Sequence, residues 1–390
     1  MLNPDQALAV LLDAVPRARP RRMRLESALG LGLAGPLTAR GDLPRCDVSA
    51  VDGFAVRGPA LPAGASLPLG AAMAAGRPRG RLRPGTASPI YTGAPVPQGA
   101  DRVIPLELAR AEAGAVAFEH WPAQGANIRR RGEELKRGSL GLPAGAVLTP
   151  EALGFAASLG QDQAWVHPRP RVAVLVTGDE IRPAGARLAS GQIWDANGPL
   201  LRAWLGQRGV VPKRLQVGDQ ADAVEAAVAL GLEDCDLLIC SGGASVGDRD
   251  FVRPALAEAG VRTLFWKVAQ KPGKPLYAGK RGRSLVLGLP GNPAAVALCL
   301  RAYVQPLLDR MQGRPGAEPQ WALTGQALPG DGAKTVFLKG RLLNKGGTLR
   351  AVPLGAQGSH MLSSLALSGA WLAVPPKGVK KNAALRVLAL

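Results

Sequence analysis

Apolar positions in residues 4–14, PDQALAVLLDA, recur at three- and four-residue spacing, and so do those in residues 25–33; both stretches predict helices. Over residues 41–145 the pattern changes. Glycine and proline return every few positions and the apolar runs are short, as in SPIYTGAPVP, RVIPLE and AVAFEHW, which predicts an insert of short strands and turns. Residues 149–159 open with Thr-Pro-Glu ahead of an apolar run and predict another helix. From residue 168 the chain becomes regular. RVAVLVTGDE reads as strand and loop, NGPLLRAWLGQRG as a helix opened by Asn197, VVPKRLQVGD as a strand and ADAVEAAVALGLED as a helix. DLLICSGGASVGD is strand and loop and DFVRPALAEAG a helix; TLFWKVAQ, KPLYAG and SLVLGL are strands, and NPAAVALCLRAYVQPLL is a long helix. Alternation of this kind predicts a multidomain α/β chain around a doubly wound, mostly parallel sheet with helices on both faces. Short strands with glycine turns return over 317–390, a small β domain. The expected division is therefore 1–40 with 146–167, the insert 41–145, the α/β domain 168–316 and the β domain 317–390.

Ligands of such sheets bind outside the carboxyl ends of the strands. Three strands end in unusual loops: TGDE at 177–180, SGGASVGD at 241–248 and GLPGNP at 288–293. Gly242, Gly243 and Gly247 have no side chains, so backbone N–H groups there can face an anion. Asp248 and Asp250 would repel that anion unless a divalent metal stands between, which suggests Mg²⁺ held by one or two carboxylates and phosphate oxygens. Asp179 and Glu180 repeat the theme at the first strand. Lys271 and Lys274 suit phosphate or oxyanion binding as compact charges, and Asn292 is expected to cap the long helix. Taken alone, each motif favours an ordinary loop, cap or basic turn; taken together on one expected rim, they favour a site. No GK[ST] follows the glycine loop and it is not a GxGxxG, so neither nucleotide fingerprint applies.

Composition narrows the function classes. The 390 residues carry a net charge of +19, which favours anionic partners. Aromatic residues make up 4% and do not alternate with the basic ones, so a stacking platform for single-stranded nucleic acid is not expected. No run of apolar residues is long enough for a membrane span and the first 20 residues lack a basic leader, so a cytoplasmic protein is expected. Four cysteines and three histidines are scattered without CxxC or HxxxH spacing, which argues against a zinc site or a disulfide scaffold.

TGDE, SGGASVGDRD, KPGKP and GLPGNP, in this order and spacing, resemble the molybdopterin molybdenumtransferase family, which includes the bacterial MoeA proteins and the E domain of gephyrin. Upstream LPRCDVSAVDGFAVRG, YTGAPVPQGADRVIPLE and NIRRRGEEL, and downstream AQGSHMLSSLALSGAWLAVP, resemble the same family, so the likeness spans nearly the whole chain. The resemblance implies an elongated N-terminal region, a β insert, a MogA-like central domain and a C-terminal β-barrel. It implies insertion of molybdenum from molybdate into adenylylated molybdopterin with release of AMP, assisted by Mg²⁺ or another divalent cation. It implies a homodimer whose site lies between the central domain of one subunit and the N-terminal region of the other, with a MogA-type adenylyltransferase and apo-molybdoenzymes as further partners. Carried over by motif, the catalytic set is Asp52, Thr92, Glu134, Glu180, Asp219 and Asp250, with Asp219 and Asp250 holding the metal and Lys271 and Lys274 the oxyanion. The substrate-binding set adds Thr177, Gly178, Asp179, Ser241, Gly242, Gly243, Ser245, Gly247, Pro290, Gly291, Asn292, Pro293 and Ser359. Three departures stand out: Glu134 where Asp is common, Ala295 after PGNP where serine is frequent, and Ala196 where Thr or Ser is usual. An adenylyltransferase or a gephyrin-like scaffold remain as rival readings.

Overall fold

The computed structural model describes residues 1–16, 18–62, 65–242 and 251–390. Its centre is a six-stranded sheet built from β1 (Val172–Thr177), β2 (Lys213–Val217), β3 (Leu237–Ser241), β4 (Arg262–Trp266), β5 (Tyr277–Arg281) and β6 (Ser284–Leu289), in the order β2-β1-β3-β6-β5-β4. The first four in that order are parallel; β5 runs antiparallel to β6, and β4 antiparallel to β5. β1, β3 and β6 are almost continuously apolar and buried, as expected for strands covered on both faces. The chain leaves β1 to form the edge strand β2 and returns to place β3 on the opposite side of β1. That reversal is the topological switch point at which such sheets open a crevice. The three strands with unusual loops are thus immediate neighbours, and their carboxyl ends meet on one rim.

α1 (Pro4–Ala14) begins at a capping box in which the Asn3 side chain accepts from Gln6 N and the Gln6 side chain accepts from Asn3 N. Grouped by sequence with the N-terminal region, it instead buries Ala7 and Leu11 in the central core, beside β4 and the last long helix. α2 (Pro150–Ser158) is capped by the Thr149 side chain, which accepts from Ala152 N. The helix expected over 25–33 does not form. One 3₁₀ turn, Leu25–Ser27, gives way to bridges at Gly32 and Leu33 that pair with Val147 and Val166. The leucines there face a packed cluster with Leu148, Ala156 and Val166, and that tertiary burial outweighs their helical spacing. The insert holds two three-stranded sheets, with Phe54, Phe118 and Trp121 packed edge to face between them.

On the faces of the central sheet lie α3 (Asn197–Gly206), α4 (Ala221–Leu232) and α5 (Val252–Glu258). The last long helix is α6 (Pro293–Cys299), a π-helical segment over Leu300–Val304, and α7 (Gln305–Met311). Five strands after residue 319 close on themselves, because Thr335–Lys345 pairs with both Thr348–Pro353 and Ala370–Val374. Gln270, read from sequence as the end of a strand, and Lys271, read as part of a basic turn, leave the central sheet and add to this barrel, parallel to Thr335 and Val336. Among the described residues no helix is long and apolar enough to cross a membrane.

Candidate functional site

A cleft of about 1360 Å³ opens where the rim of the central sheet faces the barrel. β1 contributes Thr177 and Gly178 with Glu180 behind them, β2 leads to Asp219, β3 ends in Ser241 and Gly242, and β6 runs into Pro290, Gly291, Asn292 and Pro293. Lys271 and Lys274 enter from the segment that joins β4 to β5, and Ser359 from a barrel loop. All of these residues were expected at the site. Ala295, the position that lacks a serine, also lines the cleft and is buried. Gly243, Ser245, Gly247, Asp248 and Asp250 lie outside the described residues.

The local backbone explains how the rim is held. Gly242 has φ +95°, and a Cβ there would lie 2.8 Å from both the carbonyl oxygen and the hydroxyl of Thr177, so only glycine lets β3 leave the sheet this close to β1. Asp179 does not line the cleft. Its carboxylate accepts from Asp219 N (3.0 Å), while Asp179 N donates to the Asp219 carboxylate (3.4 Å), so the pair ties the β1 loop to the β2 loop. Asn292 does not cap α6 with its side chain. Its Nδ2 donates to Ser359 Oγ at 3.0 Å, and Ala294 N donates to Ser359 O at 3.3 Å, which fastens the barrel loop to the strand rim.

Several cleft residues went unrecognised in the sequence. Asp195 is 5% exposed and accepts from Gly198 N at 2.7 Å; it sets the first turn of α3 next to the alanine at position 196. Asn197 Nδ2 donates to Ser241 Oγ (2.9 Å) and to Gly291 O (2.7 Å), so one side chain braces the ends of β3 and β6. Its Oδ1 is buried without a partner among the described residues, an acceptor left available at the cleft. Gln270, Lys334, Gln357 and His360 complete the lining, and Trp194 stands half-exposed at the mouth. Position in sequence gave no signal for Lys334, Gln357 and His360, because the barrel that brings them over the rim is assembled from strands far along the chain from the rim loops. Three lysines thus face an interior that also holds Glu180 and Asp219. Such a surface has the chemistry to hold an anion, with carboxylates that could take a cation or orient a nucleophile. Among the described residues no three His, Cys, Asp or Glu side chains converge on a ready metal cage.

Asp52, Thr92 and Glu134 are not brought to this cleft within one chain. Thr92 N and Thr92 Oγ1 both donate to Asp52 Oδ1, at 2.6 and 2.7 Å, across the turn that follows the Ser88–Ile90 strand. These two bonds, the backbone one first, hold the Asp52 carboxyl below its ordinary range. The pair is exposed. Glu134 is exposed too, on a turn whose backbone bridges to Leu43; the neighbouring arginines, not Glu134, carry the ion pairs to Asp42 and Asp47.

Three family models match the chain in order: the MoeA N-terminal region (domain I and II) over residues 2–160, a probable molybdopterin binding domain over 173–310, and the MoeA C-terminal region (domain IV) over 322–389. The molybdopterin molybdenumtransferase of Haemophilus influenzae is 34% identical over 385 residues, covering 95% of this chain and 94% of that protein. Molybdopterin molybdenumtransferase 2 of Mycobacterium tuberculosis is 33% identical over 381 residues, covering 94% and 93%. Among solved structures, the molybdopterin biosynthesis MoeA protein of Pyrococcus horikoshii superposes with a TM-score of 0.80 at 25% identity, over 100% of this chain and 99% of that one.

Proposed function

The chain belongs to the molybdopterin molybdenumtransferase family, and from that premise we propose that it inserts molybdenum from molybdate into adenylylated molybdopterin and releases AMP. The observation that carries this reading is the gathering of three strand ends, the lysine loop and a barrel loop around one large polar cleft. All three participants are anions, so the lysines and backbone N–H groups supply what each of them needs. The volume exceeds the few hundred to about 1,000 Å³ typical of small-ligand sites, as a substrate carrying both a pterin and a nucleotide requires. Lys271 and Lys274 hold the oxyanion and Glu180 positions the pterin or water. Asp219, with the acid at position 250, suits a Mg²⁺ that takes one or two carboxylates and completes its shell with phosphate oxygens and water. When bound, that ion neutralises charge on the phosphoanhydride oxygens as the bond breaks.

The working unit on this reading is a homodimer in which Asp52 and Thr92 of one subunit complete the cleft of the other. An adenylyltransferase supplies the substrate, and apo-molybdoenzymes take the product. Purified protein incubated with adenylylated molybdopterin, molybdate and Mg²⁺ should release AMP and yield a cofactor that activates an apo-molybdoenzyme. No AMP release, as from a scaffold, or synthesis of adenylylated cofactor from ATP instead, would reject the assignment. The shared site has its own test. Asp52→Ala and Glu180→Ala chains should each be inactive alone. Mixed after unfolding and refolding together, they should recover about a quarter of wild-type activity, because half the dimers carry one intact site of two.

A further inference from the structure

The loop carrying both lysines is supported from beneath by two polar side chains with no exposure to solvent. Gln270 is 0% exposed and Tyr303 is 0% exposed, yet each bears groups that burial penalises unless they are paired. The pairing is complete. Tyr303 Oη donates to Gln270 Oε1, and Gln270 Nε2 donates to the Gly273 carbonyl at 3.1 Å and reaches the Cys299 thiol. Gly273 lies between Lys271 and Lys274. Its φ is +88°, and a Cβ there would come within 2.7 Å of Gln270 Nε2 and 3.5 Å of Cys299 Sγ, so the loop sits directly on the amide. Tyr303 is placed by the π-helical segment Leu300–Val304, the one departure from α geometry in the last long helix. π segments inside helices occur frequently at functional sites. The backbone on the near side is fixed as well: Gln270 and Lys271 pair with Thr335 and Val336 of the barrel, and Val268 N donates to Lys274 O.

We propose that Gln270 and Tyr303 are positioning residues for oxyanion binding: the π segment presents the tyrosine hydroxyl, the hydroxyl orients the glutamine amide, and the amide fixes the turn that aims Lys271 and Lys274 into the cleft. Tyr303 lies outside the cleft lining, and Gln270 borders the cleft with no exposure to solvent. The inference rests on the reading that the two lysines bind molybdate. An apolar pair of the same shapes would fill the space at less risk of an unpaired buried group, so the polar pair is explained by the carbonyl it holds.

The test is steady-state turnover of the full-length protein with molybdate varied, comparing wild type with Tyr303→Phe, Gln270→Met, the double variant and Lys274→Ala. Tyr303→Phe and Gln270→Met should each raise KM for molybdate about tenfold, as expected for a buried amide or carbonyl left without its partner, while KM for adenylylated molybdopterin stays within about twofold. In the double variant the Tyr303–Gln270 pair becomes apolar and only the Gly273 carbonyl stays unpaired, so thermal stability should recover relative to Gln270→Met while KM for molybdate stays raised. A double variant whose KM for molybdate returns to the wild-type value would overturn the proposal, since the pair would then serve stability alone. So would unchanged KM in both single variants. Lys274→Ala separates this inference from its premise. A raised KM for molybdate there, with none in the Gln270 and Tyr303 variants, removes the positioning role and keeps the lysine reading; an unchanged KM in Lys274→Ala removes the lysine reading itself.

Discussion

Lys339→Met tests how the barrel loop is kept over the cleft. Lys339 is 1% exposed and makes no ion pair among the described residues. Its ammonium donates to Gly358 O (2.9 Å), Met361 O (3.1 Å) and Ser364 Oγ (2.5 Å), while the Gln357 side chain accepts from Lys339 N (2.8 Å) and donates to Lys339 O (3.0 Å). The segment clamped in this way holds Gln357, Gly358, Ser359 and His360, all of which line the cleft. Two effects oppose each other in the substitution. Three hydrogen bonds from a charged donor vanish, at about 1.5–3 kcal/mol each, a gross loss of roughly 4.5–9 kcal/mol. Relief comes from no longer burying an ammonium without a counter-ion, several kcal/mol in the opposite direction. Met361 O keeps the Ser364 hydroxyl as a donor at 3.0 Å, so Gly358 O is the acceptor left bare. The lost bonds outweigh the relief, and the net destabilisation should be about 2–4 kcal/mol. Hydrogen–deuterium exchange of the peptide covering 354–364 reads this locally: protection should fall roughly 30- to 700-fold, at 1.4 kcal/mol per factor of ten. AMP affinity should fall with it. Unchanged or slower exchange would show that relief of the buried charge exceeds the three bonds, and the clamp argument would be refuted.

Thr92→Val should let the Asp52 carboxyl rise toward its ordinary range, as followed by NMR titration. Because the folded value lies below 3.8, the stability it contributes is present above pH 3.8 and lost as pH falls through the lowered value, so the variant should lose the hydroxyl's share of that contribution above pH 3.8 and keep the share of the backbone bond; an unmoved titration would refute the role of the hydroxyl. Gly242→Ala should cost at least about 1 kcal/mol, because alanine is strained at φ +95° and its Cβ meets Thr177. Since the strain sits on the cleft rim, AMP affinity should drop as well, and wild-type values in both calorimetric unfolding and AMP titration would contradict the rim geometry. Native protein should react with thiol reagents at Cys46 alone. Cys235, Cys240 and Cys299 are buried, and burial pushes the Cys299 thiol up to about 12, so mass spectrometry should find them modified only after unfolding.

What the sequence disclosed was local. Pro4–Ala14 was legible because its apolar spacing acts within 11 residues, and the strand–loop–helix rhythm gave the central sheet because each unit is self-contained. Residues 25–33 misled for the opposite reason: leucines at helical spacing were satisfied by partners more than a hundred residues away, at Leu148 and Val166. The same division runs through the site. Thr177, Gly242 and Pro290 could be found because strand ends of a parallel sheet converge by topology. Gln270, Tyr303 and Gln357 could not, because what defines them is a hydrogen bond closed in three dimensions. Asn292 illustrates the boundary. Local rules gave it a cap; the fold directs its amide to Ser359, 67 residues on, and so joins the barrel to the rim. The cleft-lining lysines and acids are thus the part of the candidate site written in motifs. The part that decides whether those charges point the right way, the clamps at Asn197, Gln270, Asn292 and Lys339, resides in contacts between elements, and substitution there should change affinity without altering any residue that meets the ligand's charge.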